Sequence, residues 1–156
     1  MTEEHKRSIQ DCTDELNKIK MWIDKNPMHT NVKFLVAYAV IKSSGTIEIV
    51  FKSILHSFLS EDYKKETQTF FEKNIIDLSC NPNTGNISNL LGQIDAERKA
   101  EFDKKIKGTQ QKADLNSLVG LRNDIAHGRD INQTINTVRR YFESGVKIIN
   151  IMDSLL

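Results

Sequence analysis

Residues 32 to 59 read VKFLVAYAVIKSSGTIEIVFKSILHSFL, and they constrain the architecture more strongly than any other part of the chain. Positions 47, 49 and 51 alternate as in a strand. From Val50 to Phe58, however, the apolar residues keep only the spacing of three and four that is typical of a helix. A helix that is apolar on nearly all sides belongs at the centre of a bundle. The segment from Val32 to Leu59 therefore predicts the central helix of an all-α protein.

Amphipathic helices are predicted on both sides of this central segment. Upstream, residues 1–26 form one helix that Thr2 caps and the Asn26-Pro27 pair ends, because a residue before proline avoids the helical region. Downstream, one predicted helix follows an N-cap at Ser60 and reaches Leu78, a short one lies around residues 90–94, and a third spans residues 95–106. The next predicted helix ends near Gly128. The last one runs from Ile131 to Leu155 and is preceded by a capping box of Asp130 and Gln133. The prediction is a single all-α domain over residues 1–156, a bundle of five to six helices with the N-terminal helix packed on it.

Composition agrees with this class and excludes several others. Only 2 prolines and 7 glycines occur in 156 residues, too few for the frequent turns of a sandwich or barrel. Lysine plus arginine (22) nearly balance aspartate plus glutamate (21), so the net charge of +1 predicts no broad basic surface for nucleic acid.

Compartment and metal chemistry are read from cysteine, histidine and apolar spacing. Cys12 and Cys80 have no partner at metal or redox spacing, and no metal or cofactor is expected. The longest uninterrupted apolar run, residues 34–41, is far shorter than the roughly 20 residues that span a bilayer. We therefore expect a cytoplasmic protein with reduced thiols and no membrane partner. His5 and His29 are predicted to be solvated, and His56 to be packed.

One segment combines residues that can act on a phosphodiester, Leu121-Arg-Asn-Asp-Ile-Ala-His-Gly128. Asn123 and His127 are four residues apart and share a helix face, and Arg122 borders that face. Gly128 suits the left-handed residue that stops a helix, and the helix dipole at that end favours a cation. In a site that acts on a phosphodiester, an arginine can bind the phosphate, a histidine can transfer a proton and an asparagine can orient the neighbouring groups. By spacing alone, a charged helix end with a capping glycine is the commoner explanation.

The order of residues in this segment resembles the signature of the HEPN superfamily (higher eukaryotes and prokaryotes nucleotide-binding). That signature is an arginine, four to six intervening residues and a histidine, with asparagine, aspartate or histidine directly after the arginine. Residues 115–128, LNSLVGLRNDIAHG, are similar to the motif helix of the stand-alone branch of RiboL-PSP-type HEPN proteins. Ser44-Gly-Thr-Ile-Glu48 is similar to a second block of that branch. The resemblance covers about residues 30 to 156.

The resemblance implies an HEPN-like all-α fold whose active members are metal-independent endoribonucleases without a cofactor. They work as homodimers in which two motifs face each other. Arg122 and His127 are then catalytic and Asn123 supports them: His127 activates the ribose 2′-hydroxyl or protonates the leaving oxygen, Arg122 stabilises the developing charge, and a 2′,3′-cyclic phosphate remains. The implied setting is bacterial defence or a toxin–antitoxin pair, with RNA and a cognate antitoxin as partners. Glu48 either approaches the motif from the long helix or pairs with an arginine.

Charge around the motif adds a second prediction. Arg122, Arg129, Arg139 and Arg140 outnumber Asp124 and Asp130 between residues 122 and 140, which leaves a local excess of +2 (four minus two) in a chain totalling +1. Arg129, Arg139 and Arg140 are therefore candidate RNA-binding residues and Asp124 a possible supporting one, the alternative being a solvated face of the last helix.

The resemblance also has a departure and two alternatives. Toxins paired with a nucleotidyltransferase antitoxin often carry tyrosine where this chain has Arg129, so control by tyrosine modification is in doubt. One alternative is a non-catalytic HEPN module for RNA binding or dimerisation, because a fold does not fix a function. Another is a helical bundle that binds a protein through its last helix, which is apolar on more than one face at Ile148, Ile149, Ile151 and Met152.

Overall fold

A computed structural model describes residues 1–60 and 81–156, and within those ranges the chain is entirely helical, without a strand. These two ranges contain six helices: α1 Glu3–Lys25, α2 Val32–Ser60, α3 Thr84–Ile94, α4 Ala96–Ile106, α5 Gln110–Ala126 and α6 Ile135–Asp153. The predicted all-α bundle is confirmed. Ser60 is the last residue of α2, and the helix predicted to follow it, like Cys80, lies outside the described residues.

Helix α2 lies at the centre, as its composition predicts, and packs against α1, α5 and α6. Val40, Ile47, Phe51 and Leu55 are at most 1% exposed. They belong to one cluster of buried apolar side chains to which all six helices contribute. A large share of the stability therefore comes from burying α2, since a fully buried side chain of this size contributes roughly 1.5–3 kcal/mol.

By length and composition, Val32–Leu59 is also apolar enough to cross a membrane, although its uninterrupted run of apolar residues is short. Half of its most apolar window is buried inside the bundle, and the core helix of a soluble protein meets the same criterion. Packing on three other helices accounts for its buried apolar side chains.

Helix α1 begins with the predicted cap, but its histidine does more than expected. The Thr2 hydroxyl accepts from the His5 backbone N–H, and His5 Nδ1 accepts from the Thr2 backbone N–H, both at 3.3 Å. The other ring nitrogen of His5 lies 2.8 Å from the Ser53 hydroxyl of α2. His5 is only 5% exposed, so the prediction of a solvated side chain was wrong. This histidine closes a capping box and docks α1 on α2, while His29 is exposed as predicted.

Helix α6 starts later than its sequence predicts. Thr134 is the N-cap and its hydroxyl accepts from the Thr137 backbone N–H at 3.2 Å, so the predicted capping box of Asp130 and Gln133 is wrong. The local bond at Thr134 satisfies one of the free N–H groups that any helix start leaves.

The apolar seam predicted on α6 is also absent from its surface. Ile148, Ile149 and Met152 are fully buried and Ile151 is half-buried. These apolar residues occur on more than one face of α6 because neighbouring helices bury them. They therefore do not support a docking site on α6.

Polar and close contacts fix α5 on its neighbours. The carboxylate of Asp114, 2% exposed, accepts from the Ser144 hydroxyl of α6 and from the Gln110 side chain, both at 2.8 Å. At Gly145 of α6, an added Cβ would lie 3.1 Å from Ile47 and 3.3 Å from Leu115. Helix α6 is thus held at a short distance from both α2 and α5, the helix that carries the motif.

Candidate functional site

The motif lies where α5 ends, in a turn in which the backbone N–H groups of residues 127–129 all donate to carbonyls of α5. His127 is the C-cap, and Gly128 has a positive φ of 71°. The Gly128 N–H donates to the Ile125 carbonyl at 3.0 Å and the Arg129 N–H to the Asp124 carbonyl at 2.8 Å. These two bonds form a Schellman motif, which needs a left-handed residue and therefore favours glycine. The predicted role of Gly128 is confirmed, and the turn presents His127 at the surface.

Arg122 is held in place by two amide oxygens. Its Nη1 donates to Asn81 Oδ1 at 3.1 Å and, at the longer distance of 3.4 Å, to Asn123 Oδ1. The guanidinium is partly exposed and has further N–H donors, since arginine carries five. Asn81 precedes α3, so two separate parts of the chain orient this cation.

His127 joins the other two residues through the backbone. Its N–H donates to the Asn123 carbonyl at 3.0 Å, and its side chain is exposed. The predicted common face exists, but no hydrogen bond joins the Asn123 and His127 side chains. The structure therefore joins the Arg122 and Asn123 side chains by a hydrogen bond and leaves the His127 side chain exposed one helical turn further on.

The remaining charged candidates are partly committed to ion pairs. Arg129 Nη1 lies 2.8 Å from Asp124 Oδ1, so the possible supporting acid faces a neighbouring arginine. Arg140 Nε lies 3.6 Å from the buried carboxylate of Asp114, while Arg139 is half-buried on the same helix. Asp124 is already included in the sequence count, so only the pair with Asp114 reduces the local positive excess below the value that this count indicates.

Glu48 pairs with a lysine on its own helix. Its Oε1 lies 2.8 Å from Lys52 Nζ, and the two side chains are only 17% and 10% exposed. Together with Gly45, Ile49 and Ser53 they line a small cleft that contains no motif residue. Of the two roles predicted for Glu48, this contact is closer to pairing with a cation, which here is a lysine and not the expected arginine.

A polar groove beside the motif was missed by sequence reasoning, which took residues 79–85 only as a loop. The groove lies between α3, α4 and α5 and has a volume of about 530 Å³. Asn116, Gly120 and Asn123 form its α5 side, and Thr84 and Ser88 line the α3 side. The spacing of Asn116, Gly120 and Asn123, four and then three residues, puts them on one helix face, a sequence signal for this groove.

An apolar stripe on α2 was also missed. Phe34, Tyr38, Ile41 and Ile49 are 63%, 46%, 42% and 67% exposed and recur at helical spacing. Phe34 also lines a cleft of about 300 Å³ together with Ile125 of α5 and others. The N-terminal end of this stripe therefore lies beside the end of the motif helix.

The described residues include no group of three or more histidine, cysteine, aspartate or glutamate side chains that could hold a metal ion. Cys12, within the same ranges, is buried and forms no disulfide; burial raises the pKa of its thiol.

The all-helical bundle, with Arg122 and His127 at the end of α5, is similar to the HEPN class of domains. The family model described as RiboL-PSP-HEPN matches residues 5–156, and the chain belongs to this family. The match includes α1, which the sequence resemblance left out. No curated protein and no solved structure matches the chain significantly. The family points to a ribonuclease or an RNA- or nucleotide-binding module, and HEPN domains commonly dimerise.

Proposed function

We propose that this protein is a metal-independent endoribonuclease that acts as a homodimer, as an effector in bacterial defence or as the toxin of a toxin–antitoxin pair. The observation that carries the proposal is an oriented cation and an exposed imidazole in the last turns of one helix: two amides orient Arg122, and His127 precedes the glycine that ends α5. The defence role and an antitoxin partner rest on the family alone.

In the proposed reaction, the ribose O2′ attacks the adjacent phosphorus and the P–O5′ bond breaks. The products are a 2′,3′-cyclic phosphate and a 5′-hydroxyl. His127 takes the proton from O2′ while solvent protonates O5′, or it donates a proton to O5′ while solvent takes the one from O2′. Arg122 binds the non-bridging oxygens, where negative charge increases in the transition state. Asn123 positions Arg122. Glu48 is given no step, because its contact with Lys52 supports a structural role.

The apolar stripe on α2 supports a dimer. Four large, exposed apolar or aromatic side chains recur along one helix face, and stripes of this kind mark interaction surfaces. Because one end of the stripe lies beside the end of α5, a second copy seated on it would lie close to the motif. A cleft shared by two motifs would also double the local arginine content, which offsets the near-neutral charge of one chain.

The central experiment incubates purified protein with RNA in EDTA and analyses the ends of the products. We expect cleavage by the wild type, a loss of roughly 100- to 10,000-fold in His127→Ala, and a large loss in Arg122→Ala. Arg7→Ala, an exposed arginine on α1, is the matched control and retains activity. A single 2′-deoxyribose at the cleavage site blocks the reaction, because O2′ is the nucleophile. Activity that requires added metal, or that survives both motif substitutions, contradicts the mechanism.

The dimer is tested by sedimentation. We expect the wild type to be a dimer at micromolar concentration and Ile49→Glu to be a monomer with unchanged helix content and impaired cleavage. Met21→Glu places the same charge at a position that is 60% exposed on α1, outside the stripe, and leaves the dimer intact. A wild-type monomer removes the shared cleft. Tight RNA binding without cleavage by a dimer identifies instead the non-catalytic module, the second candidate that the family allows.

A further inference from the structure

The polar groove beside the motif has hydrogen-bond donors whose orientation is fixed. Asn116 Oδ1 accepts from the Thr84 backbone N–H at 3.0 Å and from the Thr84 hydroxyl at 3.1 Å. Because a backbone N–H can only donate, the oxygen of this amide must face Thr84. The NH₂ group of Asn116 is then left to donate to a ligand in the groove that the residue lines. Asn123 is arranged alike, since its Oδ1 faces Arg122.

Gly120 lies between these two amides, in the middle of α5 and exposed. Glycine destabilises a helix interior relative to alanine. At Gly120 an added Cβ would meet nothing within 4 Å, so no described neighbour requires glycine there. The residue leaves a flat strip of backbone between two donors. A planar ring fits such a surface, whereas a side chain at this position would lift the ring away.

The electrostatics of the groove change along its length. Its lining contains two charged side chains, Lys112 and Asp103, and Asp103 is paired with Lys99 of the same helix. Because Lys112 and Asp103 carry opposite charges, the side chains that line the groove have a net charge of zero. Beyond Asn123, at the end of the groove, lies the Arg122 guanidinium. A neutral, hydrogen-bonding groove that ends at a cation matches a nucleotide, which joins an uncharged ring to a phosphate.

We infer that this groove binds the base of the nucleotide next to the phosphate held at Arg122, and so determines which nucleotide flanks the cleaved bond. The position relative to the cleaved bond rests on the proposed function. The binding of a nucleotide with its base over Gly120 is measured independently of cleavage. The outward amide of Asn116 would donate to a ring nitrogen or carbonyl oxygen of that base.

The test uses Asn116→Asp with Ser117→Asp as its control. Aspartate at position 116 keeps an acceptor for both Thr84 bonds but replaces the outward donor with an acceptor. Aspartate at the exposed position 117 adds the same charge on the same helix outside the groove lining. The probes are the four nucleoside 3′-monophosphates, titrated by calorimetry. For the preferred nucleotide we expect Asn116→Asp to bind about tenfold more weakly than Ser117→Asp. The distribution of cleavage sites in a random-sequence RNA shifts in the same variant only.

A second pair of variants tests the groove by bulk. Gly120→Leu weakens nucleotide binding at least about tenfold, whereas Ser117→Leu leaves it unchanged. The inference is overturned if nucleotide affinity is equal within both pairs of variants. It is also overturned if the wild type binds none of the four nucleotides at millimolar concentration. If Gly120→Leu alters sedimentation but not nucleotide affinity, the groove contacts a second copy and the inference is wrong. Nucleotide binding by a wild type that cleaves no RNA refutes the proposed function but leaves the base site standing.

Discussion

Gly128 and Gly108 allow the backbone geometry of the motif to be tested against a matched control. Both have a φ of 71°, and at both an added Cβ meets nothing within 4 Å. Substitution by alanine therefore adds no clash, and the cost is that of a left-handed residue with a Cβ, about 1–2 kcal/mol. For a chain of this size that loss lowers Tm by about 2–8 °C. We expect Gly128→Ala and Gly108→Ala to be destabilised equally in urea and thermal unfolding.

Activity separates the two variants. Gly128 directly follows His127, whereas Gly108 lies in the turn between α4 and α5, at the opposite end of the motif helix. Strain relieved by a shift of the turn at Gly128 moves the imidazole, and a displacement of about 1 Å costs on the order of 100-fold in rate. Gly128→Asn recovers part of both losses, because asparagine tolerates the left-handed region. Equal losses of RNA cleavage in both alanine variants refute this reasoning, as do stability losses that differ by more than about 1 kcal/mol.

Two further predictions concern stability. Asp114→Ala leaves the buried Ser144 hydroxyl without its acceptor and lowers the free energy of unfolding by about 1–3 kcal/mol. Asp114→Asn retains an acceptor and lowers this free energy less. Urea denaturation measures both variants, and an equal loss in the two contradicts the assigned bond. Hydrogen bonds from Tyr38 and Lys42 lower the pKa of Glu15 below its usual 4.5. The stabilisation that the ionised Glu15 gives the folded state is therefore fully present above pH 4.5. It is lost as pH falls through the lower pKa that Glu15 has in the folded state. The difference in unfolding free energy between wild type and Glu15→Gln should shrink below that pH, and a difference that stays constant argues against the assigned contacts.

The fold was largely predictable because its strongest signal is local. The breadth of the apolar pattern in residues 32–59 exceeds what any surface helix needs, and Gly128 ends α5 by a mechanism that depends on a single residue type. The start of α6 was misplaced because Asp130 and Thr134 both suit an N-cap. Choosing between them requires knowing which turn can pack. His5 was misjudged for a related reason, since its buried partner Ser53 lies 48 residues away in the chain.

The candidate site was predictable in its residue types but only partly in its contacts. Spacing brings Asn123 and His127 to one face, yet no local rule pairs Arg122 with Asn81, which lies 41 residues earlier. Local charge counting also overstated the arginine excess, because Asp114 is outside the counted window and reaches Arg140 across the interface of two helices. Contacts between distant segments depend on packing, which no single stretch of sequence encodes.

The central position of α2 has a consequence for the order in which the chain is made. Three helices cover α2, and two of them, namely α5 and α6, come after it in the sequence. During synthesis, the most apolar segment therefore leaves the ribosome well before α5 and α6 exist, and its burial waits for contacts between distant parts of the chain. Until α6 is complete, a long apolar helix with the composition of a membrane span is covered only in part. The growing chain is thus most prone to aggregation or mistargeting between the synthesis of α2 and that of α6.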